Sequence, residues 1–325
     1  MTVRPLRPAQ ASAASSGALP AVESVGDGVW AVPVPMPSRF PSYTLAYVLE
    51  DSGGAVHLID PGWDLDSNLP VLSQALVGAG HVVEDVASVT VTHLHHDHLG
   101  LAHRIRSASG AVVAMHSAEQ VALNRLAHDG RPVPDLEGWR VPEDVRARLA
   151  DLAPPLPYPS FVADVLLEDG EVLPIPGRLL RTVHTPGHTP GHIAIVDDDN
   201  GLVFTGDLLL PQIFPGIGLG GDSFNPIGDY LRSLTRLEEL GDLEVWPGHG
   251  YGFAGLGDRC AQTRAHHVKR NREVHAIMAE SASPTVWDVA SQVTWTDGWH
   301  GLSDIHLVSA LSQTARHMEF DGPKL

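Results

Sequence analysis

Short apolar runs bounded by Gly, Pro and Ser begin near residue 27 and are typical of β-strands. The first are GVWAVPVPM, SYTLAYVLE and GAVHLID. DLDSNLPVLSQALVGAG then has helical spacing, with Asp or Ser near its start and Gly at its end, so it predicts a helix. VASVTVT predicts another buried strand, which runs directly into HLHHDHLG. Strands that alternate with helices in this way predict an α/β fold.

The same pattern divides the chain into three parts. Residues 1–26 are rich in Ala, Ser and Pro, and we expect a flexible leader there. Residues 27–258 form the predicted α/β domain, interrupted at 118–160 by a helical insertion that is either a lid over a site or a surface elaboration. Residues 259–325 contain three predicted helices without a clear intervening strand, so we expect a small C-terminal helical region.

Composition narrows the class of protein. The chain has 325 residues, of which 43% are hydrophobic, so a sizeable core is expected. Its 39 acidic and 21 basic side chains give a net charge of −18, which disfavours nucleic acid and anionic membranes as partners. The single cysteine, Cys260, excludes an internal disulfide and fits a reducing compartment. No apolar run is long enough to span a bilayer, and the N-terminus does not read as a secretory signal, so we expect a cytoplasmic protein.

One segment carries the strongest chemical signal. THLHHDHLG places His93, His95, Asp97 and His98 where a predicted strand turns into a helix. Imidazole nitrogens suit zinc and iron, and a carboxylate adds charge and can orient a water molecule. A solvated histidine run such as an affinity tag would lack the aspartate and would not follow a core strand. The segment therefore predicts a metal site.

Further ligands must come from elsewhere, because one short loop cannot close two metal sites. Three later places each follow a predicted strand: the turn TPGHTPGH, VFTGD ending in Asp207, and EVWPGHG with His249. Strand ends at one edge of an α/β layer are where such sites form. Alone, each of these residues would be an ordinary turn residue; their joint occurrence with the first motif makes them candidates.

The order H-x-H-x-D-H, PGHT, GD and PGH resembles the signature of the metallo-β-lactamase superfamily, most closely its glyoxalase II and lactamase-β-like branch. The resemblance covers roughly residues 27–258. It implies an αββα sandwich with a dinuclear metal site at one edge. The metal ligands that it implies are His93, His95 and His188 for one ion, Asp97, His98 and His249 for the other, and Asp207 between the two. Asp60 matches an acidic residue that supports a ligand rather than binding metal.

Other histidines near the motifs have no ligand role in this interpretation. His188 matches the ligand position of the Pro-Gly turn, whereas His184 and His192 match flanking structural positions. His96 falls on a variable position of the first motif and is expected to be a bystander. We expect Cys260 to be a buried structural thiol, since it has no companion in the sequence.

The predicted cofactors are two divalent ions, zinc first, with iron and manganese as alternatives for the same nitrogen and oxygen ligands. Such ions supply hydroxide at neutral pH, and Asp97 would orient the nucleophile and carry its proton. The predicted function is metal-dependent hydrolysis of a carbonyl substrate, an acyl thioester, ester or lactone. Alternatives on a similar ligand set are an iron-dependent persulfide dioxygenase and a nuclease or phosphodiesterase of the same superfamily.

Two segments bear on the substrate. The apolar stretch 208–219 either packs against the helical insertion or forms the wall of an acyl pocket. The C-terminal helices resemble a truncated winged-helix tail, and we expect them to be a structural cap rather than a nucleic-acid module. The expected partner is a small-molecule substrate, with no nucleic acid and no membrane, and the oligomeric state stays open, a homodimer included.

Overall fold

The computed structural model contains two β-sheets that lie face to face between layers of helices. It describes residues 3–38, 41–152, 156–221, 225–296, 298–302 and 304–322. The strands within these ranges are β1 (Arg4–Pro5), β2 (Glu23–Gly26), β3 (Val29–Pro35), β4 (Tyr43–Glu50), β5 (Val56–Ile59), β6 (Val86–Val91), β7 (Val112–His116), β8 (Val165–Leu167), β9 (Leu180–His184), β10 (Ile193–Asp197), β11 (Leu202–Gly206), β12 (Glu244–Pro247) and β13 (Phe253–Ala254).

The helices in the same ranges are α1 (Pro8–Ser16), α2 (Asn68–Gly78), α3 (His96–Leu99), α4 (Ala102–Ser109), α5 (Ser117–Asp129), α6 (Glu143–Ala150), α7 (Pro226–Glu238), α8 (Leu256–Ala279), α9 (Val286–Ala290) and α10 (Asp304–Glu319).

Strand order brings the chain's motifs to one edge. The first sheet has the order β2-β3-β4-β5-β6-β7-β8, and its strands from β5 to β8 are parallel. The second sheet has the order β1-β13-β12-β11-β10-β9; β11 and β12 are parallel, and β10 runs antiparallel to β11. The carboxyl ends of parallel strands therefore lie at the same edge as the start of β10.

Both faces of each sheet are buried, as an αββα sandwich requires. In β4, Leu45 lies in the core between the sheets, whereas its neighbour Ala46 packs toward α2 and α4. In β10, Ile195 enters the inter-sheet core and Val196 faces the cluster that contains α7 and α8. This alternation on central strands of both sheets confirms the predicted fold class.

The prediction of a flexible leader is wrong for residues 3–26. Strand β1 pairs antiparallel with β13, and helix α1 buries Ala14 against the second sheet. The Gln10 side-chain oxygen accepts a hydrogen bond from the Gly252 amide at 3.3 Å. Pro8 at the first helical position and an alanine-rich sequence favour a helix, and β13 offers an edge for pairing. Composition alone does not reveal such a partner.

The helical insertion is joined to the C-terminal helices. Val145 and Leu149 of α6 share a buried cluster with Leu307 of α10. Arg148 and Asp304 add an ion pair of 3.1 Å across the same contact. The insertion is thus part of a second, all-helical core rather than a detached flap.

Helices α8, α9 and α10 occupy the predicted C-terminal helical region. Helix α8 begins at Leu256, three residues before the predicted boundary. Beyond β13, the described residues contain no strand. Within the part of the chain that the structure describes, no helix has both the length and the apolarity that crossing a bilayer would take.

The apolar stretch 208–219 packs differently from the expectation that places it against the insertion. Leu208 and Leu209 are buried in the cluster formed with α7 and α8. Arg259 of α8 holds the following backbone, since its guanidinium donates to the carbonyls of Leu210 and Ile213 at 2.7 Å each. The leucines therefore belong to the core of the second sheet and its helices.

A buried histidine, His317, lies where α10 packs on α8. His317 is 2% exposed, and its Nδ1 lies 3.3 Å from the side-chain oxygen of Asn271. Burial, reinforced by the positive charge of Arg270, lowers the pKa of His317 to about 3. The folded protein therefore keeps this imidazole neutral through the mildly acidic range.

Acid should lower the stability of the folded protein through His317. An unfolded chain protonates His317 below its usual pKa of 6.5, whereas the folded chain does not until about pH 3. The contribution of neutral His317 to the free energy of unfolding is therefore complete above pH 6.5, and it falls by about 2 kcal/mol by pH 5. Urea unfolding of metal-free wild type and His317→Leu at pH 7.5 and pH 5 measures it. The variant should lose about 2 kcal/mol less than wild type on acidification; equal losses in both proteins would contradict the prediction.

Candidate metal centre

The strand ends at one edge of the sandwich bring the predicted motifs together. Asp60 follows β5, and the histidine loop (residues 92–98) follows β6. The Pro-Gly turn (residues 185–192) precedes β10, Asp207 follows β11, and His249 follows β12. Segments that are far apart in the sequence therefore meet in one small, mostly buried volume.

Three imidazoles form one donor group. Ligand atoms of His93, His95 and His188 lie within 4.8 Å of one another. His95 Nδ1 is 3.0 Å from His93 Nε2 and 3.2 Å from His188 Nε2. His188 directs Nε2 inward because its Nδ1 contacts the Gly216 carbonyl at 2.7 Å. Burial, with the neighbouring His188, lowers the pKa of His95 to about 3, so the lone pairs of this group are available at neutral pH.

Asp97, His98 and His249 form the second donor group, again within 4.8 Å. His98 Nδ1 lies 2.8 Å from Asp60 Oδ2, and His249 Nδ1 lies 2.8 Å from the Tyr43 carbonyl oxygen. Each Nδ1 thus has an acceptor, which leaves Nε2 as the ligand atom. His249 Nε2 lies 3.1 Å from Asp97 Oδ2.

Asp207 lies between the two groups. Its carboxylate is 3.5 Å from His98 Nε2, 3.4 Å from His249 Nε2 and 3.8 Å from His188 Nε2. It thus approaches ligands of both groups, the location that the family resemblance assigns to a bridging residue. Its backbone N–H donates to His192 Nε2 at 3.1 Å, which fixes the start of this loop.

The carboxylates of the centre face imidazoles, and this determines the electrostatics. Burial opposes a charge on His98, but Asp97, followed by Asp60 and Asp207, raises the pKa of His98 to about 9. Against the same burial penalty, Asp207 holds the pKa of His249 well above its usual value. A buried site that attracts a positive charge so strongly is suited to a cation.

Two further observations show that the donor set fits divalent ions. His98 Nε2 and Asp207 Oδ1 are buried and have no hydrogen-bond partner among the described residues, an arrangement that is costly unless something else satisfies them. Gly248 leaves the space between them open: a Cβ there would lie 2.5 Å from Asp207 Oδ1 and 2.6 Å from His98 Cε1. The nitrogen and oxygen donors suit zinc, iron or manganese.

Asp60 supports the centre without belonging to either donor group. Its φ of 52° lies in the left-handed region, which few residues other than glycine adopt. In that conformation Oδ1 accepts the Thr92 N–H at 2.7 Å, and Oδ2 accepts the Thr92 hydroxyl at 2.6 Å and lies 2.8 Å from His98 Nδ1. Asp60 thereby fixes both the start of the histidine loop and the orientation of one ligand.

The flanking histidines lie in different surroundings. His184 Nε2 lies 3.0 Å from the Pro190 carbonyl, and its ring stacks on His116 at 4.0 Å. The His96 ring stacks on Tyr158 at 4.8 Å. Neither residue is in a candidate donor group of the described part of the chain.

His192 is closer to the centre than its structural interpretation suggested. It is fully buried, with its ring 5.2 Å from that of His93. Its Nδ1 contacts the Thr185 hydroxyl at 2.8 Å, while Nε2 accepts the Asp207 N–H. His192 therefore orients the loop that carries Asp207, although it joins no donor group of the described residues.

Glu119, which the sequence motifs do not include, is a further residue of the centre: its buried carboxylate contacts two ligand-bearing loops. Burial raises the pKa of Glu119 to about 7, against hydrogen bonds from backbone amides. The sequence carries no signal for this role, because an acidic residue in the first turn of a helix is common and normally exposed. Cys260 is buried, as expected, and burial raises its pKa to about 12.

Comparison with known proteins agrees with this geometry. Residues 39–249 match the model of the metallo-beta-lactamase superfamily. The chain belongs to that superfamily. A beta-lactamase-like protein 2 homolog from Caenorhabditis elegans is 29% identical over 133 residues, 41% of this chain and 43% of that protein, so the match spans less than half of this curated relative.

Two further members of the superfamily match over longer stretches. Acyl-coenzyme A thioesterase MBLAC2 from Gallus gallus is 31% identical over 220 residues, 64% of this chain and 71% of that protein. The crystal structure of metallo-beta-lactamase family protein TTHA1429 from Thermus thermophilus superposes with a TM-score of 0.72 at 26% identity, over 91% of this chain and 93% of that chain. The structural match therefore extends beyond the sandwich into the flanking helices.

Two histidines in and beside the Pro-Gly turn provide a matched test of the centre. His188→Ala should reduce bound metal and abolish hydrolysis, because it removes one donor of the three-histidine group. His184→Ala should keep the wild-type metal content, since His184 contacts Pro190 and His116 instead. Elemental analysis of both purified variants measures the difference. Loss of metal from His184→Ala with retention in His188→Ala would reverse the assignment.

Proposed function

We propose that this protein hydrolyses acyl thioesters with two divalent ions held by the two donor groups, and that these ions are zinc. Its membership of a metal-binding hydrolase superfamily supports the reaction class. The observation that carries the choice of substrate is an apolar cleft that reaches the donor groups at His249.

The cleft opens at the surface beside the metal centre. Its lining residues are Ala14, Pro41, Ser42, Tyr43, Leu210, Pro211, Gln212, Ile213, His249 and Gly250. Tyr43 donates its hydroxyl hydrogen to the Gly250 carbonyl at 2.8 Å, so its polar atom is already satisfied. Among the described residues of the lining, only His249 and this tyrosine have ionisable side chains, which suits an acyl chain better than a phosphate.

Divalent ions make water a stronger acid and polarise carbonyl oxygens. Asp97 is the residue placed to handle the proton, because its Oδ2 lies 3.1 Å from Nε2 of His249, which lines the cleft, and the residue is 8% exposed. In the proposed reaction the water oxygen bonds to the acyl carbon and the carbon–sulfur bond breaks. Asp97 accepts the proton of the water and returns it to the departing thiolate.

The similarity to a protein named an acyl-coenzyme A thioesterase supports the same substrate class. The net charge of −18 disfavours an approaching nucleic acid. Asp97 completes, with His98 and His249, a second donor group that a one-iron persulfide dioxygenase would not need. Esters and lactones share the carbonyl chemistry and are the nearest alternatives. A cytoplasmic location without a membrane or nucleic-acid partner remains part of the proposal.

A substrate panel tests the reaction. The zinc-loaded protein should hydrolyse medium-chain acyl thioesters faster than bis(p-nitrophenyl) phosphate, because the described residues of the cleft are mostly apolar and none of them is a lysine or arginine that could bind a phosphate. Asp97→Asn should reduce kcat by about 100-fold or more, since the amide cannot accept the proton. Released thiol and released nitrophenol give the two rates. Faster turnover of the phosphodiester, or oxygen uptake by the iron form with glutathione persulfide, would overturn the proposal.

The contribution of helix α1 to the cleft can be tested by chain length. Ala14→Leu should raise KM for a medium-chain acyl thioester by about 10-fold while leaving an acetyl thioester unchanged, because the added carbons narrow the cleft that only the longer acyl chain would fill. Ala9→Leu is the matched control, since Ala9 is exposed on the same helix and does not line the cleft. An equal change for both acyl lengths, or the same change in the control, would contradict the prediction.

A further inference from the structure

We propose that Glu119 is a positioning residue that locks the histidine loop to the Pro-Gly turn and thereby sets the metal affinity of the three-histidine group. The inference rests on the metal-dependent function proposed above. It concerns only one of the two donor groups, and metal binding can test it without a substrate.

The carboxylate of Glu119 contacts one loop with each oxygen. Oε1 accepts the backbone N–H of Leu94 at 2.7 Å, and Oε2 accepts the backbone N–H of Gly191 at 2.6 Å. Glu119 lies in the first turn of α5 and is fully buried. Both contacts are short for N–H donors and a carboxylate, as charge-assisted hydrogen bonds are. A single buried side chain therefore ties together two loops that belong to different sheets.

The two amides are placed among the ligands. Leu94 lies between His93 and His95 in the sequence, and Gly191 lies three residues after His188. Displacement of either backbone would move ligand atoms that lie 3.0 to 3.2 Å apart. Glu119 thus controls the distance between two halves of one donor group.

Glycine at position 191 allows this contact without a shift of the backbone. A Cβ at that position would approach the Glu119 backbone nitrogen far inside normal contact and would come within 2.7 Å of the Glu119 side-chain Cβ. Close packing against Glu119 therefore explains why the second TPGH sequence has glycine at this position. The turn and the start of α5 are fitted to each other.

The other donor group is held by different contacts. His98 is oriented by Asp60, and His249 is oriented by the Tyr43 carbonyl. Neither of these contacts involves α5. Loss of the Glu119 contact should therefore weaken metal binding at the three-histidine group and leave the Asp97, His98 and His249 group close to its wild-type affinity.

The test is a metal titration of the full-length, metal-stripped protein. Glu119→Gln keeps the side-chain shape but replaces one acceptor oxygen with an NH₂ that cannot accept a backbone N–H. Zn²⁺ titration by calorimetry, with Co²⁺ absorption as a second readout, should show one of two binding events weakened by about 10- to 100-fold and the other within about twofold. The weakened event should be the one that His188→Ala removes.

Two further variants separate positioning from general stability. Gln120→Glu is the matched control, because Gln120 is the next residue and is also buried. Its side chain accepts a hydrogen bond from the Ala163 N–H and donates one to the Phe161 carbonyl, so it contacts neither ligand-bearing loop. This variant should lower the melting temperature without changing either binding event. Gly191→Ala disturbs the same contact from the turn and should weaken the same event as Glu119→Gln.

The outcomes distinguish this inference from the proposed function. Two binding events in wild type, with the first donor group selectively weakened in Glu119→Gln, support the inference. Two events that are unchanged in Glu119→Gln, or weakened equally, overturn it while leaving the metal centre in place. Fewer than two events in wild type would overturn the dinuclear function itself and the inference with it.

Discussion

Three carboxylates surround one buried imidazole, and the rest of the centre depends on that arrangement. His98 has Asp60 at 2.8 Å from one ring nitrogen, and Asp97 and Asp207 at 3.6 and 3.5 Å from the other. So much negative charge is expensive to bury without a matching cation. Asp60 is satisfied by Thr92 and by the His98 ring, but Asp207 Oδ1 and His98 Nε2 have no hydrogen-bond partner in the described part of the chain. An ion that completes such a site therefore stabilises the folded protein.

The sandwich supplies the geometry that makes this concentration of charge feasible. Parallel β5 and β6 place Asp60 beside the histidine loop, and parallel β11 and β12 bring Asp207 beside His249. The loops themselves are then held from behind by groups that bind no metal. Gly216 orients His188, the Tyr43 carbonyl orients His249, and Glu119 joins the two loops that bear the three-histidine group. The ligands are therefore preorganised, which lowers the cost of ordering them around a metal.

The sequence predicted those parts of the site that depend on the type of side chain. The histidine loop, Asp207 and His249 could be found because His and Asp after predicted strands form a specific pattern, and alternating apolar residues indicated the layers. Other features depend on partners that composition does not contain. Helix α1 is ordered because β13 and the second sheet lie beside it, and Leu208 is in the core because α7 and α8 cover it there. Glu119 escaped notice because it recognises backbone amides, which every residue except proline carries.

Anomalous X-ray diffraction from crystals grown with zinc would locate the metal ions directly. Two strong peaks are expected at one edge of the sandwich. One should lie among His93 Nε2, His95 Nδ1 and His188 Nε2, and the other among Asp97, His98 Nε2 and His249 Nε2, with Asp207 between them. A single peak at full zinc occupancy, or peaks on other residues, would contradict a dinuclear centre built from these seven side chains.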